Sequence, residues 1–271
     1  MTKLDRISVS NIAWPSQADQ EAVRLAADIG YAGIEIAPAK TFNNWPAPDL
    51  AAVASYRREL ASLGLEVPAL QGILFARPEC TLFGSEEQRD NLRKHLSTIA
   101  RIAGVLGARA CVFGAPKQRD PGNLAASDAQ EIAVEFLRSM GPVFEREGSA
   151  LAFEANAKLY GCRFIEHTAE AIALVERIGH PGIRLQIDAG TILIDGDDAA
   201  IIAAAVPHAA QFHASEPNMV PVGSLASDHR ALGAALRQAG YAGWKSVEMT
   251  TVENWREALR NAARLMADAY V

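Results

Sequence analysis

Ile183-Arg-Leu-Gln-Ile-Asp-Ala-Gly-Thr191 is an alternating run that closes on a carboxylate, and small residues then open a helical stretch. Successive side chains of a strand face opposite sides, so Ile187 points one way and Gln186 and Asp188 the other. The same grammar recurs in Ala150-Leu-Ala-Phe-Glu154, Ala210-Gln-Phe-His213 and Trp244-Lys-Ser-Val-Glu-Met249. Ahead of these lie four more strand-like runs, Ile7 to Ile12, Gly33 to Ala37, Leu65 to Leu70 and Ala108 to Phe113. That makes eight.

Amphipathic stretches separate the runs, with apolar residues such as Ala22, Leu25, Ala26, Ile29 and Trp255, Leu259, Ala262, Met266 at helical spacing. Ser16-x-x-Asp19, Ser85-x-x-Gln88 and Ser127-x-x-Gln130 read as helix starts, and Gly30, Gly64, Gly107, Gly148, Gly179 and Gly240 as helix ends. One helix-to-strand junction occurs twice, as Gly30-Tyr-Ala-Gly33 and Gly240-Tyr-Ala-Gly243, which supports a repeating unit. Eight strand–helix units in 271 residues predict an α/β protein, a single-domain (β/α)8 TIM barrel over residues 1–271. An open dinucleotide-binding sheet would carry a glycine-rich turn after its first strand, and Asn11-Ile-Ala-Trp-Pro-Ser16 has no glycine.

Composition narrows the partners. With 49% hydrophobic and 21% charged residues the chain is an ordinary globular one, and a net charge of −6 offers no excess of cations to a nucleic acid. The N-terminal segment lacks the apolar core of a signal peptide, and the longest apolar run, Ala199 to Val206, is too short to span a membrane. Cys80, Cys111 and Cys162 are odd in number and widely spaced, so neither a disulfide framework nor a zinc ribbon is expected. A cytoplasmic location fits best.

Glu154, Asp188, His213 and Glu248 end four consecutive strands at spacings of 34, 25 and 35 residues, each about one strand–helix unit. Their neighbours Phe153, Ile187, Phe212 and Val247 are apolar and suit the helix layer, so parity directs the four polar groups into the barrel mouth. Barrel enzymes keep their active sites at that rim. Three converging carboxylates would repel one another without a cation between them, so one divalent metal ion is expected, with Mn²⁺ first and Mg²⁺ or Co²⁺ also suited to oxygen-rich ligands.

In these motifs, Glu154-Ala-Asn-x₃-Tyr-Gly161, Leu185-x-x-Asp188, Phe212-His213-x-Ser-Glu216 and the late Glu248, the chain resembles the sugar phosphate isomerase/epimerase family of xylose-isomerase-like barrels. The resemblance spans essentially the whole chain. It implies that Glu154, Asp188, His213 and Glu248 hold the metal and that Glu154 and Glu248 move protons on a carbohydrate. The expected activity is isomerisation or epimerisation of a keto-sugar, phosphorylated, acidic or neutral, through an enediolate. The alternatives are a lyase of the inosose dehydratase type and, remotely, a phosphodiesterase like the abasic-site endonucleases. Two positions depart from the ketose epimerases of that family: Thr191 stands where they carry histidine, and Glu216-Pro-Asn-Met219 where they carry arginine.

The remaining candidates are substrate contacts. Lys117 and Arg119, after the fourth strand, are placed to clamp an anionic group, with a solvated loop as the plain alternative. Glu35 has inward parity on the second strand, and Asn156 and Glu216 flank the ligand motifs. Trp14, with Phe42 and Trp45, is a candidate floor for a sugar. Asp228 reads as a helix cap, and His95, His167, His180 and His208 as surface residues. The expected partner is a small carbohydrate, with no nucleic acid or membrane and with a homo-oligomer left open.

Overall fold

The computed structural model describes residues 4–271. Eight parallel strands alternate with helices: β1 (Leu4–Ser10), β2 (Tyr31–Glu35), β3 (Ala69–Leu70), β4 (Ala110–Phe113), β5 (Ala150–Glu154), β6 (Ile183–Asp188), β7 (Ala209–Ala214) and β8 (Lys245–Val247). The helices are α1 (Asp19–Ile29), α2 (Pro38–Thr41), α3 (Leu50–Ser62), α4 (Glu86–Leu106), α5 (Ala126–Arg146), α6 (Thr168–Ile178), α7 (Ala189–Asp195), α8 (Ala199–Ala205), α9 (His229–Gln238) and α10 (Trp255–Ala269). The strands hydrogen-bond in the order β2-β1-β8-β7-β6-β5-β4-β3, and bridges from Gly33 to Glu66 and from Ile36 to Leu70 bring the two ends together. The result is a (β/α)8 TIM barrel.

β3 and β8 fall well short of their expected lengths, at two and three residues. Pro68 has no N–H to give a ladder, so pairing with the β2 side skips it: Glu66 N–H donates to Ala32 and Gln71 N–H to Ile36, while Ile34 N–H donates to Glu66 and Ile36 N–H to Ala69. Gly33 is needed at this seam, because a Cβ there would lie 2.8 Å from the Glu66 carbonyl oxygen. No helix among the described residues is long and apolar enough to cross a membrane.

Parity sorts the core into two parts. Phe153, Ile187, Phe212 and Val247 pack outward among the helices, while Ala69, Ala110 and Ala152 form a small inner cluster. Small inner residues at the bottom leave the top of the barrel to larger polar side chains. All six glycines read as helix ends have positive φ.

Of the three expected helix starts, Ser85 alone forms a capping box, with Gln88. Ser16 sits in a 3-10 turn ahead of α1, whose Asp19 instead accepts from Trp14 Nε1 and the Tyr56 hydroxyl. Ser127 lies inside the first turn of α5. His95 is a further correction, since it is buried on α4, with Nε2 2.7 Å from the Ile73 carbonyl and its ring edge-on to Trp45. His167 is exposed, and His180 and His208 are half-buried.

Candidate metal centre

Glu154 closes β5, Asp188 closes β6, His213 stands one residue from the end of β7, and Glu248 directly follows β8. One ligand atom from each lies within 4.8 Å of all the others. His213 Nδ1 is 3.3 Å from Glu154 Oε1 and 3.2 Å from Glu248 Oε2. Both Glu154 Oε1 and His213 Nδ1 are buried without a hydrogen-bond partner. They are near enough to attract but do not meet in hydrogen-bond geometry, so the side chains converge on a shared point rather than on one another. Buried polar atoms are rarely left so, and a cation at that point would satisfy them.

Three of the four, His213, Glu154 and Asp188, are held from behind. Glu35, fully buried at the end of β2, accepts from Gln211 Nε2 at 2.9 Å and the Ser246 hydroxyl at 2.8 Å, and lies 3.0 Å from His213 Nε2. That contact fixes the imidazole so that Nδ1 faces the centre, as a carboxylate behind a metal-binding histidine does. Asn156 donates to Glu154 Oε2 at 2.9 Å and accepts from Arg119 at 2.7 Å. Asp188 Oδ2 accepts from the Thr191 N–H at 2.8 Å, while Oδ1 takes the Ser215 hydroxyl and retains lone-pair capacity for the centre. Gly114 keeps room beside this cluster, since a Cβ there would come within 2.5 Å of Glu154 Oε2.

The charges respond to one another. Burial, and then the Glu154 carboxylate, push Asp188 up, and burial raises Glu248 to about 7. Burial alone would lower His213, yet the facing Glu248 and Glu35 carboxylates outweigh it and hold the imidazole well above its usual range. In the absence of a metal the cluster therefore retains protons that a cation would displace.

A cavity of about 600 Å³ opens over the ligands, bordered by the loops after β3, β4, β5, β7 and β8. Lys117, Asn156 and Glu216 border it, but the Glu216 carboxylate turns to the Gly223 N–H, the Ser227 hydroxyl and His229. It ties down the loop after β7. Arg119 is 0% exposed, stacked over Phe153 with its ring centroid 4.8 Å away and bonded to Asn156, so it is not a clamp in the open cavity. Trp14 is 1% exposed and donates to Asp19 at 2.8 Å; it belongs to the outer core and does not border the cavity, and Phe42 packs edge-on against Tyr56. Asp228 caps α9 as expected.

Two residues that stand in the quoted motifs without an assigned role, Ser215 and Tyr160, take part in the site. Ser215 shares the inward parity of His213, two positions on, which was the available signal. Tyr160 borders the cavity and accepts the Asn218 N–H at 2.9 Å, joining the loops after β5 and β7. Nothing local in the sequence indicates that contact.

The family model described as xylose isomerase-like TIM barrel matches residues 23–269. No curated protein matches the chain in sequence. Among solved structures, D-psicose 3-epimerase from Clostridium cellulolyticum H10 with D-tagatose is 15% identical, with a TM-score of 0.83 over 97% of this chain and 99% of that one. An L-ribulose 3-epimerase is 18% identical, at 0.81 over 97% and 94%. The IOLI protein with a bound zinc atom is 17% identical, at 0.72 over 97% of each chain.

Proposed function

The chain belongs to the xylose isomerase-like TIM barrel family, and on that footing we propose that it is a divalent-metal-dependent isomerase or epimerase acting on a keto-sugar through an enediolate. One observation carries the reading. Two buried atoms without partners, Glu154 Oε1 and His213 Nδ1, converge with Asp188 and Glu248 beneath a cavity of sugar-accommodating size. Oxygen-rich donors of this kind suit Mn²⁺, with Mg²⁺, Co²⁺ or Zn²⁺ as competitors, and a solved relative in the same fold carries zinc. Two of the structural relatives are ketose 3-epimerases.

The ion would stabilise the negative charge that develops on substrate oxygens. Proton movement falls to the two glutamates, which flank His213 Nδ1 at 3.3 and 3.2 Å. Asn156 holds one oxygen of Glu154, so that carboxylate meets the substrate in a fixed orientation. One glutamate takes the proton from the carbon beside the carbonyl and the other returns it. Return to the opposite face inverts the centre, and return to the adjacent carbon exchanges ketose for aldose. Tyr160, whose oxygen accepts the Asn218 N–H, keeps its own hydrogen free for a substrate oxygen. The phosphodiesterase alternative lacks support at the other half of the rim, where β1 to β4 lead into Ser10, Glu35, Gln71 and Gly114, with no histidine among them.

Chelation is the test. Protein stripped of divalent ions is expected to lose turnover of keto-sugars and regain it with Mn²⁺, Co²⁺ or Mg²⁺. Full turnover by the stripped protein would refute the reading.

A further inference from the structure

Arg119 is a cation wholly removed from water, and among the described residues it forms no ion pair. Its guanidinium has two polar partners, Asn156 Oδ1 at 2.7 Å and Cys162 Sγ at 3.5 Å, both met by Nη2, while Nε and Nη1 have none. Burying a charge costs more than one neutral acceptor returns. Fold stability therefore does not account for this arginine.

Its surroundings nonetheless hold it in one place. The Phe153 ring lies against the guanidinium, and the Cys162 thiol donates to the Phe164 carbonyl at 3.2 Å, which leaves sulfur lone pairs for Nη2. The turn that carries it, Pro116–Arg119, runs on into Asp120, which accepts from Arg163 at 3.0 Å. The loops after β4 and β5 are tied together there.

That placement settles the orientation of an amide. Arginine donates and never accepts, so the Asn156 atom against Nη2 is the oxygen. Nδ2 is thereby left to face Glu154, where it donates to Oε2 at 2.9 Å, and the bare Oε1 is the oxygen left for the shared centre. Without Arg119 the amide is free to turn over and set its own oxygen against the carboxylate. Glu248 has no such chain behind it. Among the described residues His213 is the one group in polar contact with its carboxylate.

We infer that Arg119 is a positioning residue: acting through Asn156, it fixes which oxygen of Glu154 faces the centre, and so makes Glu154 the held member and Glu248 the free member of the glutamate pair. The role in cation binding needs only the four ligands, whereas the distinction between held and free bases rests on the reading above of Glu154 and Glu248 as the proton-moving pair.

The test is a double-mutant cycle on Mn²⁺ affinity, read by calorimetry on metal-free protein. Arg119→Met keeps apolar contact with Phe153 but removes every donor. Arg119→Met and Asn156→Ala should each weaken binding about tenfold, the low end of the usual effect of losing an outer support. Together they should cost no more than about twofold beyond Asn156→Ala alone, because two contacts in series do not add. Arg119→Lys, which retains a donor for Asn156, should recover part of the loss. If Arg119→Met does not fold, Arg119→Lys takes its place in the cycle, with a smaller loss that again vanishes beside Asn156→Ala. Additive losses, or parent affinity in the Arg119 variant, would overturn the inference.

Proton exchange in D₂O supplies the second readout, measured separately from each of two epimeric keto-sugars with metal-loaded protein. Arg119→Met should slow exchange from one epimer at least about fivefold more than from the other, with KM nearly unchanged. Equal slowing of both would overturn the distinction between held and free glutamates. If no keto-sugar is turned over while the affinity cycle behaves as expected, the isomerase reading fails and the positioning role stands.

Discussion

Glu35 and Glu154 are the same residue type, both facing inward at strand ends, yet the barrel uses them oppositely. On the β2 side both oxygens of Glu35 are engaged, by Gln211, His213 and Ser246. On the β5 side Glu154 has one oxygen held by Asn156 and the other left bare. The saturated Glu35 carboxylate is placed as a support behind His213, and the half-satisfied Glu154 carboxylate as a candidate ligand. Asp188, whose two oxygens also accept hydrogen bonds, joins the candidate ligands through its place in the cluster rather than through a bare oxygen.

Three experiments press on this contrast. The largest effect belongs to the open half: Asp188→Ala or His213→Ala should weaken metal retention by more than about a hundredfold, exceeding the cost of losing a supporting residue. Metal content after dialysis reads it directly. Retention at the parent level would mean that the four groups do not form the site.

Glu35→Gln comes next, since it keeps the shape but removes the charge behind His213. Metal affinity should fall about 10- to 100-fold, the usual effect of losing such a support. An unchanged affinity would reduce Glu35 to core filling and break the comparison.

The third effect is a pH dependence. Burial holds Glu248 at about 7 in the metal-free protein, so below that pH it is protonated and an incoming cation must displace the proton. His213, also raised, has a proton to lose as well. Affinity should therefore drop by at least about tenfold per pH unit below 7, with protons released on binding. The sign for Glu35→Gln follows: removing a carboxylate that raises His213 lowers its pKa and moves this dependence to lower pH. Calorimetry in buffers of different ionisation enthalpy counts the protons, and an affinity flat from pH 5 to 8 would contradict the coupling.

Much of this was legible in the sequence, for identifiable reasons. The strands of a barrel are short apolar runs with a strict two-residue alternation, so Glu154, Asp188, His213 and Glu248 could be located by position and facing alone. Pro68 was visible too, and the shortened β3 follows from it. His95 lies three residues after Leu92 and four before Ile99, both buried on α4, so its burial was also written in the helix periodicity. Arg119 was not legible, because its burial depends on Phe153, Asn156 and Cys162, each more than thirty residues away. For Glu216, the decisive partners Ser227 and His229 lie across a loop whose path the sequence pattern does not describe. Parity reports direction, but not which donors will be waiting.

The most direct test of the central claim is solvent exchange. If Glu154 and Glu248 remove and return the proton as proposed, metal-loaded protein turning over a keto-sugar in D₂O should place deuterium on the carbon beside the carbonyl, as read by NMR. The chelated protein should place none. Turnover by the metal-loaded protein that yields product wholly free of solvent deuterium would contradict the account.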